Sequence, residues 1–233
     1  MLMIADRKDL PVILWFKRDL RLNDNPAMTL AQNLGPTIAL VAIEPTLWTG
    51  NDFSKRHLSF YLNALIELNR SLAKLNVPTY IIEDEFPKIL HRIFNQIGLF
   101  SLVSHQETGN WLSYNRDKKV KIWCEKNDIS WFQPRQNNVI RNLHDRDLWT
   151  RHWSDFMRSP CEPVPNFLKN KFSKNINLSY PFVKLRNQTA SIILDNLNLK
   201  PKLYSLPEII YPFPSQSSLK EITKSFFHNR AIG

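Results

Sequence analysis

The stretch VILWFKRDLRLNDNP at residues 12–26 changes character abruptly after Phe16. Its first five residues form an unbroken apolar run, which is typical of a strand that is buried on both faces of a sheet. Charged residues then occupy four of the next five positions, namely Lys17, Arg18, Asp19 and Arg21. Because ligands of parallel sheets bind beyond the carboxyl ends of the strands, these charges lie where a ligand cleft is expected. They could equally be ion pairs that hold a loop in place.

Four more short apolar runs follow, and a helical pattern separates each run from the next. These runs span Thr37–Ile43, Thr79–Ile82, Phe100–Ser104 and Ile129–Phe132. The predicted helices span Pro26–Gln32, Phe53–Leu75, Phe86–Ile97 and Ser113–Lys126. This regular alternation predicts an α/β fold with a doubly wound, five-stranded parallel sheet and flanking helices.

The composition is that of an ordinary globular protein, since 43% of the 233 residues are apolar. No apolar run approaches the roughly 18 residues of a membrane-spanning helix, and the charged N-terminus lacks the apolar core of a secretory signal. The two cysteines, Cys124 and Cys161, belong to no Cys-x-x-Cys or Cys/His cluster, so we expect reduced thiols and no metal site. These features predict a cytoplasmic protein without a membrane partner.

The last third of the chain differs from the rest in charge and proline content. Of the formal net charge of +10, residues 1–150 contribute +3 and residues 151–233 contribute +7. Eight of the fifteen prolines lie between Pro160 and Pro214, in a stretch without a helical or strand period. We interpret this stretch as a long connection draped over a surface. An amphipathic helix is predicted after it, with an apolar stripe formed by Leu219, Ile222, Phe226 and Phe227.

The sequence contains no recognisable catalytic constellation. Its five glycines are scattered, which excludes a glycine-rich dinucleotide loop. It has no Gly-x-Ser-x-Gly nucleophile elbow. Asp145 and Asp147 flank Arg146, a pattern more typical of the start of a helix than of acid–base catalysis. We therefore assign no catalytic residue.

Four segments of the chain resemble the DNA photolyase/cryptochrome family. The first two are WFKRDLRLNDNPAMTLA from residue 15 and FSKRHLSFYLNALIELNRSLAKLNVPTYII from residue 53. The third is HQETGNWLSYNRDKKVKIWCEKNDISWFQPRQNNVI from residue 105, and the fourth is RDLWTRHWSDFMRSP from residue 146. Together they span about residues 11–160.

This resemblance implies a two-domain, light-driven flavoprotein. In the family, a Rossmann-like α/β domain can hold an antenna chromophore, which is a folate, a deazaflavin or a flavin. A long linker leads to a helical domain, where reduced FAD transfers an electron that splits a pyrimidine dimer in DNA. By resemblance, residues 1–158 correspond to the α/β domain, residues 159–215 to the interdomain linker, and residues 216–233 to the start of the helical domain.

The FAD-binding sequence motifs of the family do not occur in the 233 residues. The resemblance therefore implies a truncated relative of deoxyribodipyrimidine photo-lyase or of a blue-light-sensing cryptochrome, inactive alone because the FAD site is missing. It would be a fragment, a shortened gene product or a stand-alone protein. We expect no tightly bound cofactor and weak or no binding of DNA. Self-association through the C-terminal helix is one way in which its apolar stripe could be covered.

The resemblance also points to candidate residues for an antenna site. They lie at the carboxyl ends of predicted strands or at adjoining helix starts, where charges can line the rim of an apolar pocket. These candidates are Arg18, Glu44, Lys55, Arg56 and Glu107. The residues 107–111 depart from the family's folate-binding pattern, which argues against a folate.

The charges that follow the first strand have a second predicted role. We expect Asp19 to pair with Arg18 or Arg21, in a structural clamp that forms the floor of the antenna cleft.

Two other functions are compatible with the same residues. The α/β domain could be a stand-alone module that binds a flavin or a nucleotide in the same cleft. Alternatively, the basic residues 160–233 could make the chain a nucleic-acid-binding remnant, whose affinity for DNA would depend steeply on salt.

Overall fold

The computed structural model describes residues 10–50, 55–141, 143, 145–166, 178–179, 182–184 and 221. Its strands are β1 (Val12–Phe16), β2 (Thr37–Ile43), β3 (Thr79–Glu83), β4 (Ser101–Val103), β5 (Ser130–Phe132) and β6 (Val183–Lys184). Its helices are α1 (Pro26–Leu34), α2 (Pro45–Trp48), α3 (Lys55–Lys74), α4 (Phe86–Ile97), α5 (Trp111–Lys126) and α6 (Trp149–Arg158). All five predicted strands are confirmed, with ends that differ by no more than a residue.

The sheet has the strand order β5-β4-β1-β2-β3-β6. Strands β1 to β5 are parallel, which confirms the predicted doubly wound sheet. The chain passes from β1 to β2 and β3 on one side and then crosses to β4 and β5 on the other, so β1 and β4 flank the switch in strand order. The short strand β6 pairs antiparallel with β3 and was not predicted, because two residues carry no detectable period.

Two hydrophobic cores cover the two faces of the sheet. On one face, Leu14 and Phe16 of β1 pack with apolar residues of α1 and α3. On the other face, Ile13 and Trp15 pack with apolar residues of α4 and α5. Every residue of β1 and β2 is buried, which explains why these strands read as continuous apolar runs rather than as alternating ones.

Local capping residues fix where the helices begin and end. The side chain of Asn25 accepts a hydrogen bond from the backbone N–H of Met28 at the start of α1. Asn110 caps α5 in the same way through Ser113. Gly98 ends α4 with a φ of +74°, a conformation that glycine adopts without steric cost. The four-residue helix α2 was not predicted, because it is too short to show a period.

Part of the proline-rich segment belongs to the folded core. Leu178 and Phe182 are each 5% exposed and pack in the core beside α4, and β6 follows directly. Nearer the start of the segment, the backbone of Glu162 exchanges hydrogen bonds with Asp24. This part of the chain is therefore more than a connection draped over the surface. The predicted helix over residues 217–229 lies outside the described residues except for Glu221.

No helix within the described ranges combines the length and the apolar character needed to cross a membrane.

Candidate functional site

A cluster of buried charges lies beyond the carboxyl ends of β1 and β4, at the switch in strand order. Its centre is Arg116, in the second turn of α5. Its guanidinium donates to Glu44 Oε1 at 2.6 Å, to Glu107 Oε2 at 2.8 Å and to Asp117 Oδ1 at 3.0 Å. The side chain of Arg116 is 9% exposed, and those of its three partners are 3–6% exposed. One guanidinium therefore joins the ends of β2 and β4 to α5.

Lys17 adds a second buried cation to this cluster. Its Nζ donates to Asp117 Oδ2 at 2.7 Å and to the backbone carbonyl of His105 at 3.0 Å. It also lies 4.5 Å from the centre of the Trp15 ring, and the Arg116 guanidinium lies at the same distance from that ring. Because Trp15 in turn stacks on Phe86, the charges rest directly on the aromatic core.

Arg18 closes the cluster toward solvent. Its guanidinium pairs with Glu107, although the Arg18 side chain itself is 52% exposed. A Cβ atom at position 109 would overlap the Arg18 guanidinium, so a larger residue there would force the Arg18 side chain to shift. With Lys17, Arg18 and Arg116 facing Glu44, Glu107 and Asp117, the formal charges of the cluster balance.

The pKa directions follow from burial and from these ion pairs. Burial alone would raise the pKa of Glu107, but the charges of Lys17, Arg18 and Arg116 outweigh it and lower that pKa. Burial lowers the pKa of Lys17, and Asp117 opposes this shift. The three carboxylates around Arg116 raise the pKa of its guanidinium against the effect of burial. Arg116 thus stays charged, and the site is a network of ion pairs.

The predicted clamp at Asp19 has a different partner. Asp19 pairs with Nδ1 of His105, and its other carboxylate oxygen accepts from the backbone N–H of Lys17 at 2.8 Å. Arg21 instead donates to the backbone carbonyl of Asp24 at 2.9 Å. The prediction of an Asp19–arginine pair was therefore wrong. Asp19 is buried, and the imidazole ring of His105 reaches it from the end of β4, whereas the arginines face outward.

The Asp19–His105 pair connects three elements. Nε2 of His105 accepts a hydrogen bond at 3.3 Å from the backbone N–H of Ala27, in the first turn of α1. This assigns the ring proton to Nδ1, which donates to Asp19. Burial would raise the pKa of Asp19, but the His105 contact and the Lys17 N–H outweigh it and lower that pKa.

An open groove lies beside the buried cluster, between the loop after β1 and helix α3. We call it the β1–α3 groove; its volume is about 570 Å³. Its aromatic wall consists of Trp48, Phe60 and Tyr61. Its polar rim includes Arg18, Arg21, Arg56 and His57. A volume of this size lies within the range of small-molecule and cofactor sites, roughly 300–1,000 Å³.

A second, smaller cavity lies over Arg116 and shares Arg18, Trp48 and Tyr61 with the groove. Its volume is about 40 Å³. That is well below the roughly 150 Å³ that accommodates a benzene ring. The β1–α3 groove is therefore large enough for a ring-bearing ligand, whereas this cavity is too small for one.

The structure shows where four of the five antenna candidates lie. Arg18, Glu44 and Glu107 come together in the buried cluster, two of them by pairing with Arg116. Arg56 lines the β1–α3 groove. The backbone of Lys55 begins α3, and its side chain is outside the described structure. Whether any of them binds a chromophore stays a prediction.

Sequence reasoning missed the central role of Arg116. A signal was present, since the buried positions of α5 are Ser113, Arg116, Asp117, Val120 and Cys124. Charged residues at positions that continue an apolar helical stripe indicate buried ion pairs. His105 and Tyr61 were missed as well. The Tyr61 hydroxyl donates to the Lys17 carbonyl at 2.8 Å, a contact that no local pattern reveals.

Comparisons with known proteins agree with this architecture. A family model described as DNA photolyase matches residues 12–144. The deoxyribodipyrimidine photo-lyase of Buchnera aphidicola subsp. Acyrthosiphon pisum (strain APS) is 22% identical over 220 residues, which cover 90% of this chain and 44% of that protein. Cryptochrome-2 of Gallus gallus is 29% identical over 89 residues, covering 38% of this chain and 15% of that protein. The chain thus spans less than half the length of the curated relatives it matches.

Two solved structures share the fold. An archaeal photolyase from Sulfolobus tokodaii, crystallised with two FAD molecules, matches with a TM-score of 0.58 and 21% identity, over 80% of this chain and 41% of that chain. A cryptochrome of Synechocystis sp. PCC6803 matches with a TM-score of 0.58 and 18% identity, over 73% of this chain and 39% of that chain. Identities this low show the shared fold alone.

Proposed function

The chain belongs to the DNA photolyase family, and we propose on this basis that it serves as an antenna-chromophore domain whose ligand binds in the β1–α3 groove. We further propose that this domain works as part of a light-dependent flavoprotein that acts on DNA. The observation that carries it is a groove of about 570 Å³ with an aromatic wall, at the carboxyl end of β1.

The chemistry of the groove favours a planar ligand with an anionic group. Trp48, Phe60 and Tyr61 offer ring surfaces for an aromatic ligand. Arg18, Arg21 and Arg56 on the rim can donate charge-assisted hydrogen bonds to a phosphate or a carboxylate. A flavin nucleotide or a phosphorylated deazaflavin combines these two features, so we favour both over a folate.

The buried cluster supports this ligand indirectly in our proposal. Because Glu44, Glu107 and Arg116 satisfy one another, they hold the ends of β2 and β4 in place without contacting the ligand. We assign direct contacts to Arg56 and Phe60 and retain Arg18 as a residue between the groove and the cluster. We propose that the α/β domain forms one unit with the packed residues Leu178 and Phe182.

Titration of the purified chain with FMN, FAD, a 5-deazaflavin and a reduced folate tests this proposal by isothermal calorimetry. We expect one flavin or deazaflavin to bind with a stoichiometry near one. Arg56→Gln should weaken that binding at least about tenfold, because a hydrogen bond to a charged group contributes roughly 1.5–3 kcal/mol. Phe60→Ala should weaken it as well, through loss of the ring contact.

Arg70→Gln is the matched control, because Arg70 lies on the same helix with a 60% exposed side chain. It should bind the ligand as the unmodified chain does. Equal affinity in Arg56→Gln, Phe60→Ala and Arg70→Gln would refute the groove as the site. Failure of all four compounds to bind at millimolar concentration would refute the antenna function.

A further inference from the structure

We propose that the outer face of α5 binds single-stranded nucleic acid, independently of the β1–α3 groove. This face, which we call the α5 outer face, comprises the exposed residues of one helix. They are Trp111, Leu112, Tyr114, Lys118, Lys119, Lys121, Ile122, Glu125 and Lys126. None of these residues lines the groove.

The charge of the α5 outer face is strongly one-sided. It carries four lysines and a single acidic residue, Glu125. The nearest oxygen of Glu125 lies 3.8 Å from Lys121 Nζ, at the limit of an ion pair on a fully solvated surface. Such a contact contributes little. A face with this charge attracts a polyanion.

Exposed aromatic rings lie among these lysines. Trp111 is 67% exposed and Tyr114 is 38% exposed, and their ring centres are 6.1 Å apart. Lys118 Nζ lies 5.2 Å from the Trp111 ring centre and 4.7 Å from that of Tyr114. The Arg141 guanidinium lies 5.8 Å from the Tyr114 ring. Rings flanked by cations are the arrangement on which unpaired bases stack while their phosphates contact the cations.

The order of these side chains along the helix also suits a strand of nucleotides. Five of these residues follow one another along the helix at spacings of three, four, three and one residues: Trp111, Tyr114, Lys118, Lys121 and Ile122. At about 1.5 Å of rise per residue they form a stripe roughly 17 Å long. Aromatic and basic residues share this one side of the helix, whereas an interfacial membrane helix separates an apolar face from a basic one. We therefore favour nucleic acid over a lipid surface.

Fluorescence anisotropy of the full chain with a labelled oligothymidylate of about 12 nucleotides tests this inference, since single-strand sites of roughly 4–16 nucleotides are common. A hairpin duplex of the same length is measured in parallel. We expect tighter binding of the single strand, because only unpaired bases offer their faces to Trp111 and Tyr114. Equal or tighter binding of the duplex would overturn the proposal.

Two sets of variants separate stacking from charge. Trp111→Ala should weaken binding at least about fivefold, which is the smallest effect usually seen when one base loses its stacking partner. Trp111→Phe, which keeps an aromatic ring, should retain most of the affinity. Lys118→Gln with Lys121→Gln should reduce the slope of log affinity against log salt by about 1.4, since each phosphate contact contributes roughly 0.7 on single strands. Thermal melting checks that each variant is folded.

The double variant Lys74→Gln with Lys88→Gln is the matched control. Lys88 and Lys121 have equally exposed side chains, and the Nζ of each lies 3.8 Å from a carboxylate oxygen one helical turn away. The control should leave the salt slope unchanged. An equal loss of slope in both double variants, together with an unchanged affinity of Trp111→Ala, would show diffuse electrostatic binding and overturn the proposal. Binding to phosphatidylglycerol vesicles without binding to the oligonucleotide would also overturn it.

Discussion

Arg116 shows how one buried side chain can hold three elements together. Its guanidinium is the shared partner of Glu44, Glu107 and Asp117, all of which are buried. A buried ion pair adds little net stability over an apolar replacement, but removal of one partner leaves the others charged and unpaired. The fold therefore depends on Arg116 more than its position in an outer helix suggests.

We expect Arg116→Gln to lower the free energy of unfolding by about 3–5 kcal/mol, because three buried carboxylates lose their common partner. Urea denaturation followed by circular dichroism measures this loss. Arg70→Gln, which breaks an exposed pair with Glu67, should cost less than about 1 kcal/mol. Similar losses in the two variants would contradict the role assigned to Arg116.

Asp19→Asn should destabilise the fold by about 1–3 kcal/mol, the cost of leaving a buried polar group unsatisfied. Asp19 accepts one hydrogen bond from His105 and one from the Lys17 N–H. The amide of asparagine has only one oxygen, so in either orientation its NH2 group faces another donor. Thermal melting should detect the change, and Asp147→Asn at an exposed position is the control. An unchanged melting temperature would count against the Asp19–His105 link.

Acid should destabilise the protein partly through Glu107. The pKa of Glu107 is lowered in the folded state. Its contribution to stability is therefore fully present when the pH is above the ordinary pKa of 4.5, and it is lost as the pH falls through the lowered pKa of the folded state. Glu107→Gln should therefore be less stable at neutral pH but should lose less stability between pH values just above and well below 4.5. Urea denaturation at several pH values in this range measures the free energy of unfolding of the unmodified chain and of Glu107→Gln. If the two free energies fall in parallel as the pH falls, the role assigned to Glu107 is contradicted.

At the scale of elements, the proline-rich segment is attached to the sheet at both of its described parts. Glu162 binds the start of α1 through Asp24, and Ser179 N donates to Gln96 of α4 at 2.9 Å. Strand β6 then covers the outer edge of β3. An edge strand left unpaired would offer its backbone groups to other chains, so this segment protects the sheet as well as extending it.

Phe182→Ala should lower the free energy of unfolding by about 3–5 kcal/mol, which is typical of a buried phenylalanine. The reason is that Phe182 is 5% exposed and packs in the core beside α4. Val164→Ala is a suitable control, because Val164 lies in the same segment and is 40% exposed. If both changes cost less than about 1 kcal/mol, the segment would be the loosely draped connection that the sequence predicted.

At the scale of the whole molecule, the sequence predicts whether FAD stays bound to the chain during purification. The FAD-binding motifs of the family do not occur in the 233 residues, so we expect the purified protein to carry no stoichiometric FAD. An absorbance spectrum after gel filtration decides this. A yellow preparation with close to one equivalent of flavin would mean either that the β1–α3 groove retains an endogenous flavin or that FAD binds elsewhere. Arg56→Gln would remove the flavin only in the first case.

The sequence predicted the sheet better than the site, for a physical reason. Strands buried on both faces show as short apolar runs such as Thr37–Ile43, and a neighbouring helix shows its period locally. The family resemblance pointed to Arg18, Glu44 and Glu107 as candidates near the carboxyl ends of these strands, and the structure brings the three together. The pairing of Glu44 and Glu107 through Arg116 was not predictable in the same way, because Arg116 lies 72 positions after Glu44 and the direction of its side chain depends on the rotation of α5.

The strand order has a consequence for how the protein folds. Strands β1, β2 and β3 are contiguous in the sheet and are complete by residue 83, whereas β4 pairs with β1 across a separation of 89 residues, from Val12 to Ser101. Contacts between residues so far apart along the chain form slowly, since a long loop must close first. The Asp19–His105 and Lys17–Asp117 pairs span 86 and 100 residues, so we expect them to form in this late step. On a ribosome, half of the sheet can assemble before these partners exist, and its β1 edge stays open until β4 arrives.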